Sequence, residues 1–320
     1  MTTRWAIVGT GGIAAQMART LGPMPDADLT AVVSRTTDRA KAFAAEHGVA
    51  RASDDLGSIL GDVDAVYVAT PHIAHSEPTI AALEAGVGVL CEKPLTVSHA
   101  ESTRLVGAAR DTGTFLMEAM WSRFIPAIRR AQDIVANGSL GEVRSVEASF
   151  SLVRDLPPEH RLRNRALGGG TTLDLGVYPL TIAHLFLGAP TSSRVVGQVE
   201  GGVDIHASAL SEHPGGWSHT TSSLIADSTN EGIVSGTEGR IRLHRPHHHP
   251  TRITIERGDG GVVETIDLPY AGTGFEFQVA EVHRCLAEGL TESPVVPHQT
   301  TLEVAHWMDD IMGALGVAYA

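Results

Sequence analysis

The stretch Gly9-Thr10-Gly11-Gly12-Ile13-Ala14 has the residue types and spacing to hold a pyrophosphate. In a GxGxxA pattern the first glycine makes a tight turn, the second lets phosphate approach bare backbone, and the alanine lets a helix pack closely on the preceding strand. The amino end of that helix adds N–H groups and a favourable dipole. A chain with 34 glycines produces such spacings by chance. Here the pattern sits in a strand-turn-helix unit at the start of the chain, which makes Gly9, Thr10, Gly11, Gly12 and Ile13 candidate dinucleotide contacts. A tight turn without a ligand is the alternative.

Ser34-Arg35 ends the second strand signal, with Arg39 one helical turn on. A site for NAD usually offers an acidic residue there, whereas a 2′-phosphate needs a hydroxyl and a guanidinium fork. The residues therefore favour NADP, with NAD accepted at lower preference, against the alternative of a solvated arginine at a helix start. Thr70-Pro71-His72 closes a later strand and His75 opens the next helix. Carboxyl ends of parallel strands face the ligand crevice, so Thr70, Pro71, His72 and His75 can line the nicotinamide side, although each histidine equally suits a structural role.

Glu92-Lys93-Pro94 closes another strand. Burial and a neighbouring positive nicotinamide depress a lysine pKa, and such a lysine can accept a proton or acidify a nearby hydroxyl. The run His247-His248-His249, with His244 close by, invites a metal reading. It lies beside Pro246 and Pro250 with no acidic or cysteine ligand at fixed spacing, so a solvated hairpin loop is expected and no metal.

The elements that position these groups are legible as a change of pattern. Continuous apolar runs at Trp5 to Val8, Leu29 to Val33, Ala65 to Ala69, Val87 to Cys91 and Phe115 to Ala119 alternate with helix signals. Strands buried on both faces and separated by helices form a parallel sheet, so a Rossmann unit closes near Trp121. Ser98 and Glu101 make a capping box for its last helix, which stops before Gly113. After a helix at about Pro126 to Asn137, strand signals follow in close succession: Glu142 to Ser151, Ser193 to Val199, Asp204 to Leu210, Trp217 to Asp227, Gly239 to His244, Thr251 to Glu256 and Val262 to Leu268. Strands without intervening helices imply a largely antiparallel sheet. Helices at about Phe275 to Glu288 and Thr301 to Leu315 end the chain. The expected domains are 1–121, binding dinucleotide, and 122–320, binding substrate.

With 24 basic and 37 acidic residues the net charge is −13, which argues against a nucleic-acid partner. No apolar run has the length to cross a membrane, and MTTRWAIVGT enters a strand with no secretory h-region. Cys91 and Cys285 lack a CxxC partner and read as buried thiols. A cytoplasmic location is expected.

GTGGIA, TPHIAH from Thr70, CEKPLTV from Cys91 and GGGTTLDLGVYPL from Gly168, in this order, with the late ESPVVPHQTTLE, resemble the glucose-fructose oxidoreductase, inositol dehydrogenase and rhizopine catabolism (Gfo/Idh/MocA) family over nearly the whole chain. The resemblance implies an α/β Rossmann domain followed by an α+β domain with a large, open, mostly antiparallel sheet whose face often builds a dimer. Much of the family has a histidine four residues after the aspartate of DxGxH, where this chain has Tyr178 after Asp174. That tyrosine, with EAMWSRFIP from Glu118 and RLRNRALGGG from Arg161, looks like the dimeric dihydrodiol dehydrogenase and D-xylose dehydrogenase branch.

In that branch the lysine and tyrosine are the catalytic pair and NADP is the usual cofactor. The resemblance thus implies hydride transfer on a sugar, polyol or cyclic trans-diol, with Lys93 and Tyr178 moving the proton and Asp174 orienting a substrate hydroxyl. Trp121 and Arg123 are expected to touch the nicotinamide or the substrate, with a core position the equal alternative for Trp121, and Glu92 beside the lysine joins the cofactor side. A phenol with a pKa of about 10 becomes a usable base when an ammonium stabilises the phenolate. Which of the pair carries the proton stays open. A homodimer or homotetramer is expected. The alternatives are a non-catalytic NADP sensor and an NAD-dependent glycosidase of the same superfamily.

Overall fold

A computed structural model describes residues 2–319 as two compact units. The first contains the chain up to Trp121 together with Ala271–Leu302. Its six-stranded sheet comprises β1 (Thr3–Val8), β2 (Ala27–Val33), β3 (Arg51–Ser53), β4 (Ala65–Val68), β5 (Gly88–Cys91) and β6 (Leu116–Glu118), in the order β3-β2-β1-β4-β5-β6. Every pairing is parallel. The reason is visible in the residues, because AVYV of β4 and GVLC of β5 are buried throughout and need cover on both faces.

That cover comes from α1 (Gly12–Leu21), α2 (Thr37–His47), α3 (Ser76–Glu84) and α4 (His99–Thr112). The ends of α2 and α4 are set locally. Thr36 and Ser98 accept from the backbone N–H of Arg39 and Glu101, and Gly48 and Gly113 stop the helices in the left-handed conformation. Val8, Val33, Val66, Val68, Val89, Leu105 and Leu116 belong to one continuous core. Because all strands run the same way, their carboxyl ends gather Gly9, Ser34, Thr70 and Glu92 along one edge.

The second unit, Ser122–Tyr270 with the residues from Glu303 on, carries α5 (Pro126–Ala136), β7 (Val143–Ser151), α6 (Val177–Leu187), β8 (Ser192–Glu200), β9 (Val203–His213), β10 (Gly216–Ser223), β11 (Gly232–Gly236), β12 (Gly239–Leu243), β13 (Arg252–Arg257) and β14 (Val262–Asp267). Its eight-stranded sheet has the order β14-β13-β12-β11-β7-β10-β9-β8 and is antiparallel except where β10 runs beside β7. Burial alternates along β9 and β10, so one face is covered and the other open. Helix α6 lies against β7 and β10.

Residues 271–302 follow the second sheet in sequence yet pack with the first unit. Helix α7 (Phe275–Ala287) packs on α1, Thr20 and Thr273 share a hydroxyl contact of 2.9 Å, and the Trp5 indole N–H donates to His283 Nε2 at 3.0 Å. Helix α8 (His298–Ala314) starts in the same unit. Three elements lack a strong sequence signal: β3, β11 and α6. The strand at Trp217 also stops at Ser223, because the Ser223 hydroxyl then accepts from the N–H groups of Ile225 and Ala226 and turns the chain.

Candidate active site

The loop after β1 is shaped by close approach. Gly9 has φ +119°, and a Cβ there would stand 2.4 Å from the carbonyl oxygen of Ala69. Its N–H donates to Val33 O at 2.8 Å, while Ala69 N–H donates to Val8 O at 2.8 Å, so the loop is stitched to the ends of β2 and β4. Gly11 and Gly12 face open space, with nothing within 4 Å of a Cβ at either position. Ala14 is fully buried on the inner face of α1, and no side chain caps that helix. A backbone cradle with exposed glycines at a helix start fits a dinucleotide pyrophosphate. Ile13 stands exposed beside them.

Thr10 and Ser34 bring two of these loops together, their hydroxyls 3.2 Å apart. Arg35 and Arg39 lie exposed beyond them, before and within the first turn of α2. Hydroxyl and guanidinium donors at the end of β2 suit a phosphate on the adenosine ribose. The remaining strand ends are braced around Lys93. Glu92 is buried; Tyr67 O–H donates to its Oε1 and the Lys93 N–H donates to its Oε2 at 3.2 Å. Leu95 N–H donates to Glu118 Oε1 at 3.1 Å, and the other oxygen of Glu118 accepts from Thr301 at 2.9 Å.

His75 completes this brace from inside. It is fully buried, with Nδ1 3.1 Å from both Pro94 O and Leu95 O and Nε2 3.0 Å from Thr70 O. Burial lowers its pKa, and the ring lies between the carbonyl groups at the end of β4 and after β5, donating to one side. His75 thus acts on the site through Thr70 and the Lys93-Pro94-Leu95 turn. Pro71 is exposed, and His72 meets His75 edge to face at 5.8 Å. Trp121 packs edge-on against Phe275 at 4.9 Å within the same unit.

In the second unit, residues 172–176 form one wide π-helical turn that runs straight into α6, a distortion common at functional sites. Asp174 lies in that turn, buried, its two oxygens gripped by Arg161 at 3.0 and 3.1 Å. This bidentate pair competes with any substrate hydroxyl for the carboxylate. Asp204 supports the turn from below, its Oδ2 accepting from Thr172 N–H and Oγ1, both at 2.7 Å. Burial pushes Asp204 up to about 6. Gly170, at φ +107°, is obligatory here, since a Cβ would meet Asp204 Oδ1 at 2.3 Å. Arg123 is buried, and its charge helps lower the pKa of His184, which burial lowers most.

Tyr178 is buried at the start of α6 and meets two rings, Phe150 of β7 at 5.7 Å and His248 at 4.7 Å. The histidine run therefore departs from the expected solvated loop. It does connect β12 to β13, but His247 is 0% and His248 9% exposed. The loop folds inward because His247 N–H donates to Asn230 O at 2.9 Å and the His248 ring stacks on Phe150. Among the described residues no group of three or more His, Cys, Asp or Glu side chains is arranged to hold a metal. No helix among them is long and apolar enough to cross a membrane. Sequence reasoning missed Tyr67, Glu118, Arg161, Phe150 and Asn230. Only Glu118, an acid at a strand end, carried a local signal.

Residues 3–120 match the oxidoreductase family with an NAD-binding Rossmann fold, and residues 128–242 match the GFO/IDH/MocA C-terminal domain. The chain is 34% identical to trans-1,2-dihydrobenzene-1,2-diol dehydrogenase of Bos taurus and 32% identical to that of Homo sapiens, covering all of this chain and 98% of each relative. A 3-ketoreductase from Actinomadura kijaniata, solved with NADP and TDP-benzene, superposes with a TM-score of 0.85 at 30% identity over 98% of both chains. An aldose-aldose oxidoreductase from Caulobacter crescentus gives a TM-score of 0.89 at 26% identity over 98% of this chain and 97% of its own. Full-length identity at this level, on top of the Gly9 cradle and the braced lysine, means that the chain belongs to the Gfo/Idh/MocA family of oxidoreductases.

Proposed function

We propose that the protein is an NADP-dependent oxidoreductase acting on the carbinol or carbonyl carbon of a sugar, polyol or cyclic trans-diol, with Lys93 and Tyr178 in proton transfer. The observation that carries the reading is the brace around Lys93, in which Glu92, His75 and Glu118 each hold a backbone group of the turn. A lysine needed only for solubility has no use for such support. The relatives add weight, since two are diol dehydrogenases and a solved ketoreductase holds NADP.

The chain's own residues divide the work. Gly9, Thr10, Gly11, Gly12 and Ile13 cradle the pyrophosphate, and Ser34, Arg35 and Arg39 read the 2′-phosphate. Thr70, Pro71, His72, Glu92, Trp121 and Arg123 border the nicotinamide side, with His75 supporting from behind. When bound, NADP accepts or supplies the hydride at nicotinamide C4. In the oxidative direction Tyr178 takes the alcohol proton and Lys93 stabilises the resulting phenolate. Asp174 orients a substrate hydroxyl once Arg161 shares it. Residues 1–121 serve the cofactor, and the second unit, whose bulk lies in the expected 122–320 apart from the 271–302 segment that packs with the first, serves the substrate and self-association.

Association is read from the open face of the second sheet. Val196, Leu210 and Trp217 alternate onto it and are 71%, 55% and 57% exposed. An apolar sheet face of this kind fits a twofold partner, giving a homodimer or a dimer of dimers. Both cysteines are buried free thiols, in keeping with a cytoplasmic enzyme.

Steady-state turnover with NADP across pentoses, hexoses, anhydro-sugars and trans-dihydrodiols identifies the substrate. On it, Lys93→Met and Tyr178→Phe should each lose about a hundredfold or more in kcat, within the range typical of general acid–base catalysis. The double variant should be little worse than the poorer single one. Near-normal turnover in Lys93→Met, with NADPH still bound, would exclude the mechanism.

A further inference from the structure

The histidine loop holds more than a hairpin turn. The rings of Phe150, His248 and Tyr178 form a closed triangle with centroid separations of 4.4 Å for Phe150 and His248, 4.7 Å for His248 and Tyr178, and 5.7 Å for Phe150 and Tyr178. His248 stacks on Phe150 at 27° and tilts against Tyr178 at 38°, so the phenol is bounded by one ring from a strand and one from a loop. His249 closes the outer side, edge-on to His248 at 4.5 Å. These three-ring contacts come from β7, α6 and the loop between β12 and β13, distant in sequence.

One residue joins their supports. Asn230 is buried and adopts φ 54°, a left-handed conformation that asparagine tolerates. Its side chain clasps the backbone of Ser151, accepting from the N–H at 2.7 Å and donating to the carbonyl at 3.2 Å. Its own carbonyl accepts from His247 N–H at 2.9 Å. Ser151 follows Phe150, and His247 precedes His248. Asn230 therefore fixes the residues adjoining both rings that bound Tyr178. His247 seals the joint: it is fully buried, edge-on to Phe150 at 6.2 Å, and burial holds its pKa down near 4, so it stays neutral and packs as an uncharged ring.

We infer that Asn230 and the His247-His248 loop are a clamp that sets the orientation of the Tyr178 phenol, with His248 a positioning residue for proton transfer. The inference rests on the reading of Tyr178 as catalytic. A buried phenol aimed by packed rings loses little orientational freedom when substrate arrives. Misplacement of about 1 Å is enough to cost a hundredfold in rate.

The test uses the full chain labelled with 3-fluorotyrosine. The sequence has four tyrosines, and Tyr178→Phe identifies the resonance of interest. In His248→Leu that resonance should shift and broaden, with kcat falling about 10- to 100-fold and KM changing less than about threefold. His248→Phe restores a ring and should recover both the resonance and most of kcat. Asn230→Gly tolerates the positive φ while removing the side-chain bonds to Ser151 along with that from the Ser228 hydroxyl, and should produce a weaker version of the same change. An unchanged resonance and unchanged kcat in His248→Leu would overturn the clamp, as would His248→Phe falling as far as His248→Leu. Near-full turnover in Tyr178→Phe overturns the catalytic reading alone, and the resonances then still decide whether the clamp orders the ring.

Discussion

Two glycines of one loop should answer alanine substitution in opposite ways. Gly9 is at φ +119°, and its added Cβ would lie 2.4 Å from Ala69 O and 2.8 Å from the carbonyl carbon behind it. Both atoms are backbone, so relief requires β1 and β4 to part where Ala69 N–H bonds to Val8 O. The disfavoured φ contributes about 1–3 kcal/mol, and forced overpacking about 1–3 kcal/mol more. Gly9→Ala should therefore lose roughly 2–6 kcal/mol out of a typical total of about 5–15 kcal/mol. Gly11 has φ −84° and ψ 179° with nothing near its Cβ, so Gly11→Ala should be neutral or gain up to about 1 kcal/mol from a stiffer unfolded chain. Its penalty should appear only when pyrophosphate needs that space, as about a tenfold or greater rise in the Kd for NADPH. Urea unfolding and fluorescence titration of both variants separate the effects. A Gly9→Ala protein with parental stability would refute the steric argument. A Gly11→Ala protein with parental stability and parental NADPH affinity would refute the cradle.

Arg35→Asp should weaken NADPH at least tenfold more than NADH, because it replaces an exposed guanidinium beside Ser34 with a repelling carboxylate; equal losses for both cofactors in a titration would remove Arg35 from phosphate recognition. Asp204 is raised from 3.8 to about 6 by burial, so the folded chain keeps a proton that the unfolded chain releases, and its contribution to stability is full below about pH 4 and lost as pH rises through 6. Asp204→Asn should therefore gain up to about 3 kcal/mol relative to the parent between pH 4 and 7, read as a difference by urea unfolding, in which the opposite effect of neutral His247 cancels; a constant difference would place the shift elsewhere. Trp217→Glu should convert the parent oligomer to monomer in light scattering at micromolar concentration, and a monomeric parent would contradict the proposed interface.

The first unit was legible because its signals are local. Apolar runs such as AVYV and GVLC mark buried parallel strands, Ser98 caps the last helix of the unit, and topology then carries Gly9, Ser34, Thr70 and Lys93 to one edge without knowledge of any contact. The second unit was harder to read. Strand β11 is GIVSG, short and poor in apolar residues, and it is held by its neighbours β7 and β12. Helix α6 reads VYPLTIAHLFL, nearly uniform in apolar character, so no helical periodicity separates a covered face from an open one.

Polar residues in the second unit mislead for a related reason. Composition assigns three consecutive histidines between prolines to solvent, and that inference is sound for a loop whose backbone groups are satisfied by water. Here Asn230 supplies the partner instead, reaching Ser151 79 residues earlier in the chain and His247 17 residues later. These two bonds have no local signature, since neither partner lies within one turn of Asn230, and the local bond from the Ser228 hydroxyl points to neither of them. The same holds for Asp174, whose charge makes it look exposed although it is buried in the wide turn before α6 and gripped by the exposed Arg161. Motifs therefore locate Tyr178, but the groups packed around it become visible only once the strands are paired, and Lys93 differs in this respect because the brace described around it comes from one sheet edge and the helices beside it.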